Sequence, residues 1–507
     1  MTSPPAGSRS KLARAALLVA LAVLIGAFGA TRIAMYRTIP PILDADSYKY
    51  LAGADSLSAG SGWPPVFLKL HNGGGALHAV PGYAWFMLAI WKLAGVPVLS
   101  GVVLAQSLLS LVALGATIDL VRRWHGLAAA VMAAALLVSS PALAWIDQLL
   151  MPEAVGAAVL AIAIWLAAVM PTTTIGGRTL AAAIGCGVLM SAAVLLRTSA
   201  QVFVPFPLLL AVLRIARARG SLRSIAGWTL VYAAAFAVPL LPWIAHNHAV
   251  HGRWVLSAST GRNLYFSGVW SNTIDRQAEM DKFHPGKDTD VESSYDLLDL
   301  RMQSFIDSGM DIADADAAMQ RLALAGYRSA GLERYLAGRA AILAGLFEEE
   351  SFGRQNMTLY GHLDWYLTDG FGRDVMRNYL ESRWKYHLSP ALDQTLREGH
   401  ASHPGPHVWI HWWVRRLLFD DAPLAIAFLA ATLVLLLAPR RNAPPLVAWV
   451  LPTFAYLFVY TIFGAPLYRY QATIHAPMLT VIAVAAGEFV SGLRRRAASG
   501  AVPVLVD

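Results

Sequence analysis

Apolar residues run nearly unbroken, for about the length of a bilayer crossing, at 13–33, 98–121, 126–146, 153–170, 179–196, 199–213, 226–245, 422–438, 445–463 and 470–490. Ten such runs predict ten transmembrane helices. An eleventh apolar stretch, 78–94 (HAVPGYAWFMLAIWKLAG over 78–95), is shorter, rich in Trp and Tyr and closed by Lys92, the pattern of an interfacial or re-entrant helix. Between the seventh and eighth runs lies a long polar stretch, 247–405, in which DADAAMQRLALAGYRSAGLERYLAGRAAILAGLF has helical periodicity and 404–417 (PGPHVWIHWWVRRL) reads as an interfacial amphipathic helix.

Composition sharpens this picture. At 56% hydrophobic, 14% charged and a mean hydropathy of +0.50 over 507 residues, a soluble globular protein is excluded. The single cysteine, Cys186, lies inside an apolar run, which removes disulfide frameworks and Cys-rich metal sites. The polar stretch 247–405 holds 22 of the 32 acidic and 16 of the 40 basic side chains, so the basic excess belongs to the short loops elsewhere. If 78–94 does not span, Arg9, Lys11, Arg14, Arg122, Arg123, Arg178, Arg214, Arg217, Arg219, Arg223, Arg440, Arg441 and Arg494 to Arg496 all fall on one side, which the positive-inside rule makes cytoplasmic. Were 78–94 to span, the later clusters would have to be translocated. The expected fold is therefore an all-α polytopic membrane protein of about ten spans. Residues 1–246 form an N-terminal membrane core whose segment 34–97 is extracytoplasmic, 247–421 an extracytoplasmic helical region, and 422–507 the last spans and a cytoplasmic tail. A cleaved signal peptide at the first run is the alternative, and it leaves the sidedness unchanged.

The candidate chemistry gathers on the extracytoplasmic side. PPILDADSYKYLAGADSLSAGSGW places Asp44 and Asp46 just after the first span, where idle charge is costly. Asp46-Ser47 reads as a helix entry, with Tyr50, Ala54 and Leu57 on one face as far as Ser58 and Gly60 and Gly62 ending the helix. Caps or solvated loop charges are the plainer reading of both aspartates.

Asp46, Tyr50, Ala59, Gly60 and Trp63 resemble the opening signature of the GT-C glycosyltransferases that use polyprenyl-phosphate sugars, the superfamily of the protein O-mannosyltransferases and the lipid A aminoarabinose transferase. PGYAWFMLAIWKLAG at 81–95 is similar to their second juxtamembrane helix. In DQLLMPEA, Asp147 and Glu153 flank the fourth span as a second acidic residue does in the family. Arg197, in LLRTSAQVFVPF, stands where the family often has a cation resembling a lipid-phosphate clamp. Pro242, Trp243, Asn247, Gly252, Gly261 and Asn263 match a further family segment, but His246 replaces the usual Arg. Arg469 and Tyr470, in PLYRYQATIHAPMLT, match an Arg-Tyr pair before the last span. A donor-contacting lysine of some relatives has no clear counterpart among Lys69, His71 and His78. Plainer readings stand beside these: a helix cap for Glu153, a snorkelling cation for Arg197, an interfacial anchor for Arg469.

The resemblance implies a sugar transfer from a polyprenyl phosphate donor, with Asp46 or Asp44 as the base, Arg197, Arg469 and Tyr470 at the donor phosphate, and Asp147 and Glu153 holding the acceptor or a divalent metal ion. The partners it implies are membrane lipids, the lipid-linked sugar and a glycan, lipid or protein acceptor, with no nucleic acid. HNHAVH at 246–251 reads as a polar edge rather than a metal site. A flippase for lipid-linked sugars and a polymerase or ligase using diphosphate-linked glycans are the rival functions. The flippase would want ionisable groups at the bilayer midplane.

Overall fold

A computed structural model describes residues 6–38, 41, 47–63, 80–169, 176–290, 293–347, 387, 389–398, 421–437, 439–464 and 468–499. Lipid offers no partner to backbone N–H and C=O groups, so apolar runs of this length satisfy them internally as helices. Among the described residues, eight helices are long and apolar enough to cross a membrane, and two shorter apolar ones, Leu127–Ser139 and Pro423–Leu436, coincide with the two remaining runs. The protein is a multi-pass all-α membrane protein, with helices and no strand among the described residues.

The first half comprises α1 (Ala6–Thr38), α2 (Ser47–Ser58), α3 (Gly82–Ala94), α4 (Leu99–His125), α5 (Leu127–Ser139), α6 (Pro141–Ile146), α7 (Pro152–Val169), α8 (Gly177–Leu196), α9 (Pro205–Arg217), α10 (Leu222–Ala237) and α11 (Leu241–His251). α3 has 13 residues, about 20 Å at 1.5 Å per residue, too short to span. The run expected as one span over 126–146 is broken. Pro141 has no N–H to continue α5, and the Ser140 hydroxyl accepts from the Leu143 N–H (3.4 Å) to start α6 afresh.

The polar stretch folds into α12 (Thr260–Trp270), α13 (Arg276–Met280), α14 (Ser293–Asp307) and α15 (Ile312–Gly345). Tyr265, Val269, Met280, Leu297, Met302, Ala315 and Met319 give this lobe its own core. Gly261 is obligatory there, because a Cβ would lie 1.8 Å from the Asp316 carbonyl oxygen, while the Asp316 carboxylate accepts from the Gly261 (3.1 Å) and Arg262 (2.8 Å) N–H groups. The chain closes with α16 (Pro390–Glu398), α17 (Asp421–Leu436), α18 (Pro439–Pro445), α19 (Leu451–Phe463) and α20 (Tyr468–Ser499).

In the bundle, α8 packs between α7 and α10, α4 against α5 and α7, and α20 against α5 and α17. The lobe rests on α19. Buried Arg339 of α15 donates to the Thr461 (3.1 Å) and Ile462 (3.0 Å) carbonyls at the end of α19 and to the Ser267 hydroxyl (2.7 Å) of α12. Helix ends leave such carbonyls without intrahelical partners, and a cation suits that negative pole.

Candidate functional site

The ends of α1, α7, α8 and α19 on the lobe side hold a buried polar network that apolar packing alone would not place there. Its centre is the junction of α6 and α7, with Asp147 in the loop and Glu153 in the first turn of α7. Asp147 is buried and paired with Arg32, nearly two turns before the end of α1: the Arg32 Nε donates to Asp147 Oδ2 (2.8 Å) and the Ser110 hydroxyl donates to Oδ1 (2.5 Å). Burial pushes the Asp147 carboxyl above its ordinary range, against the pull of Arg32 and Ser110. Glu153, in the first turn of α7, is buried and ion-paired with Arg197, the residue that ends α8. The Arg197 guanidinium also lies over the Tyr460 ring of α19, 5.7 Å from its centroid, and the Tyr460 hydroxyl donates to the Ser199 Oγ (3.2 Å).

Tyr83 of α3 ties the two pairs together. Its hydroxyl donates to the Gln106 carboxamide oxygen, and the Gln106 nitrogen donates to the carbonyls of Asp147 and Leu149, both at 3.1 Å. Burial, with the nearby Glu153 carboxylate and Tyr50 adding, pushes the Tyr83 hydroxyl well above its ordinary value, so it stays a hydrogen-bond donor. α3 can lie this deep because Gly82 faces the end of α8, where a Cβ would come within 2.5 Å of the Leu195 carbonyl carbon.

α2 docks on this network. Tyr50 meets Tyr83 edge to face at 5.2 Å between ring centres. The helix spans Ser47–Ser58, as expected, and Gly60 and Gly62 follow it with φ of +73°. Ser47 and every residue from Leu51 to Ser56 are buried, with Tyr50 and Leu57 half-buried, so burial extends past the expected face of Tyr50, Ala54 and Leu57. The Asp55 carboxylate is among the buried groups, accepting from the Ser389 N–H (2.8 Å) and hydroxyl (2.5 Å) just before α16. Trp63, after the turn, lies edge-on to Trp243 at 5.1 Å.

Asp44, Asp46, Lys69, His71, His78 and the segment 404–417 lie outside the described residues. Arg469 and Tyr470 fall in the first turn of α20, with their side chains outside the description. The structure thus brings Asp147, Glu153 and Arg197 to one end of the bundle, and adds Arg32, Gln106, Tyr83, Ser110 and Tyr460. Of these additions Arg32 was legible as a lone cation in the apolar GAFGATRIAMY of the first run, a costly residue that lipid tolerates only beside a partner.

The described residues do not suit a metal ion. Asp147 and Glu153 each face a guanidinium, and no group of three or more His, Cys, Asp or Glu side chains gathers among them. In HNHAVH, His246 stacks on Trp243 (5.0 Å) and His248 on Trp254 (4.1 Å), while Asn247 donates to the Val255 and Leu256 carbonyls (2.8 and 3.1 Å), so that segment is an aromatic edge.

No family model matches the sequence, and no curated protein matches it. Among solved structures, the chain superposes on the oligosaccharyltransferase of Archaeoglobus fulgidus in the apo form, with 15% identity over 96% of this chain and 52% of that one and a TM-score of 0.48. It also superposes on AglB of the same organism in complex with an inhibitory peptide and a dolichol-phosphate, at 12% identity over 97% of this chain and 52% of that one with a TM-score of 0.49. A further match is ArnT from Cupriavidus metallidurans bound to undecaprenyl phosphate, at 15% identity, 96% of this chain, 81% of that one and a TM-score of 0.36. The chain spans about half the length of the oligosaccharyltransferase chains it matches.

Proposed function

We propose that this chain is a membrane glycosyltransferase that moves a sugar from a polyprenyl phosphate donor, undecaprenyl phosphate in a bacterial inner membrane, to an acceptor of the cell envelope. The lobe-bearing face is then periplasmic and both termini are cytoplasmic. One observation carries the reading: two buried carboxylate–arginine pairs, Asp147–Arg32 and Glu153–Arg197, meet at one end of an apolar bundle, and the helix into which Asp46 leads is packed against them through Tyr50 and Tyr83. The charged side chains of the described spans lie within two turns of an end, which favours chemistry at a face over carriage through the midplane.

In the reaction, a carboxylate takes the proton of the acceptor hydroxyl, whose oxygen attacks the anomeric carbon as the bond to the phosphate oxygen breaks. Asp46 is the assigned base and Asp44 the alternate. The departing polyprenyl phosphate gains charge, and Arg197 and Arg469 with Tyr470 are the groups assigned to hold it, a planar guanidinium fork matching phosphate oxygens. Glu153 steadies Arg197 from one side and Tyr460 from the other, while Asp147 and Glu153 position the acceptor. A single displacement inverts the anomeric centre. The test is NMR of the transferred sugar after incubating purified protein with polyprenyl-phosphate sugars and a membrane acceptor fraction. Transfer with inverted configuration is expected, whereas retention, or no transfer from any donor, contradicts the reading.

A further inference from the structure

Leu332, Leu336 and Leu343, in the second half of α15, are 73%, 55% and 40% exposed. Gly331, at φ +77°, interrupts α15 just before them, so residues 332–345 take a direction of their own, apart from the half whose Ala315, Met319 and Ala323 fill the lobe core. Single exposed leucines are ordinary on a protein surface, but these three fall in register. Counted from Arg339 they stand at −7, −3 and +4, the spacing that puts all four side chains on one helical face. The other exposed positions of 332–345 are Glu333, Arg334 and alanines.

Arg339 fixes where that face points. It is buried, and its Nη1 donates to the carbonyls of Thr461 (3.1 Å) and Ile462 (3.0 Å) in the last turn of α19. α19 closes the span Asn442–Phe463, so these carbonyls mark the level at which the chain leaves the hydrocarbon. The exposed side chains of α19 are Leu451, Phe454 and Phe458, spaced i, i+3 and i+7 as a lipid-facing stripe. The next position of that stripe is Ile462, half-buried because it packs on the lobe core. The lipid-facing side of α19 therefore runs up to the seat of Arg339. Leu336 and Leu343 flank Arg339 on the same face and, being exposed, pass beside α19 rather than pack on it.

We propose that residues 332–345 are an interfacial helix that seats the lobe on the leaflet around α19, with Leu332, Leu336 and Leu343 inserted between the headgroups and the first acyl segments. Water is a costly neighbour for a row of leucines, and the surface this row adjoins is already lipid-facing. Arg334, on the opposite side of the helix, stays with the lobe, its Nε donating to the Asn272 carbonyl (2.9 Å). The lobe is thus held twice at the membrane surface, by Arg339 on the end of α19 and by the leucines in the lipid beside it, which fixes its tilt over the bundle. The contact is separate from the Arg197–Glu153 pair and stands whether or not the chain transfers a sugar.

Spin labelling of the full chain in vesicles of phosphatidylethanolamine and phosphatidylglycerol tests the contact. Nitroxide collisions are measured with oxygen, which concentrates in hydrocarbon, and with a water-soluble nickel chelate. Leu336→Cys and Leu343→Cys place labels on the row, and Ala337→Cys and Ala341→Cys place them on the far side of the helix. Wild type gives the background, since its one cysteine, Cys186, is buried. Labels on the row are expected about 5–10 Å inside the headgroup–acyl boundary, with nickel collisions lost and oxygen collisions kept, while labels on the far side keep their nickel collisions. All four side chains are exposed, so exchange for cysteine leaves the packing intact, and Leu332→Cys gives a third reading on the row if one variant fails to fold. Nickel collisions on the row equal to those on the far side would overturn the proposal. Low collisions with both reagents would overturn it in favour of a protein covering the row. Neither readout needs turnover, so a failed transferase assay leaves this result standing.

Discussion

A guanidinium drawn out of water stays charged and is costly without a partner; buried Arg32 finds Asp147, in the loop before α7, and part-buried Arg197 finds Glu153, in the first turn of that helix. Removing one member of such a pair strands the other, which costs about 3–5 kcal/mol, whereas replacing both with neutral groups costs far less. Arg197→Gln is therefore expected to lower stability strongly, and the double variant Arg197→Gln with Glu153→Gln to recover most of the loss, as read by thermal unfolding in detergent. Losses that simply add would contradict the pair. Asp147 and Glu153 were legible in the sequence because acidic residues beside a span entry are costly and conspicuous. Their pairing with Arg32 and Arg197 was not, since those residues lie 115 and 44 positions away and only folding brings them together. Tyr83 and Gln106 were hidden for another reason: polar groups inside apolar helices look like ordinary interfacial residues until their hydrogen bonds are known.

At the scale of elements, the helix that carries Tyr83 reaches the network only because residue 82 has no side chain. Gly82→Ala would press a methyl group into the backbone at Leu195, and overpacking of this kind costs about 1–3 kcal/mol. The variant is expected to melt at a lower temperature and to lose transfer activity through displaced Tyr83 and Tyr50; an unchanged melting temperature would contradict the close approach. The apolar runs made the spans legible because lipid leaves a helix no alternative. The break at Ser140-Pro141 was written in the same sequence as a cap followed by a proline, but unbroken hydrophobicity masked it. The burial of Asp55 was not legible, because its partner is Ser389, far along the chain.

The whole molecule is an apolar bundle with a separate, water-soluble style of core seated on one end, and the two halves answer to different forces. In the lobe, buried Glu279 accepts from the Tyr265 hydroxyl (2.9 Å) and is paired with Lys282 and Arg301. Burial pushes its carboxyl up, but Lys282 and Arg301 outweigh that and hold it below the ordinary glutamate range. A lowered folded-state value means that the stability Glu279 contributes is present above its unfolded value and is lost as the pH falls through its folded one. Wild type is thus expected to melt above Glu279→Gln at neutral pH, with the gap closing in acid below about pH 4. A gap that stays constant with pH would contradict the pairing. Arg339, which bonds the end of α19 from within the lobe, joins lobe and bundle near Tyr460 and Arg197, alongside Ile462 and Phe463 packed on the lobe core.

The carboxylate proposed to drive sugar transfer from a lipid phosphate at this face is the one leading into α2. Mass spectrometry of purified protein incubated with a panel of polyprenyl-phosphate sugars and a membrane acceptor fraction, comparing wild type with Asp46→Asn, measures it most directly through the free polyprenyl phosphate released. Release by wild type from at least one donor, lowered by about a thousandfold or more in a folded Asp46→Asn, is the predicted result. Equal release by the two proteins would remove Asp46 from the chemistry, and no release from any donor by folded wild type would contradict the account as a whole.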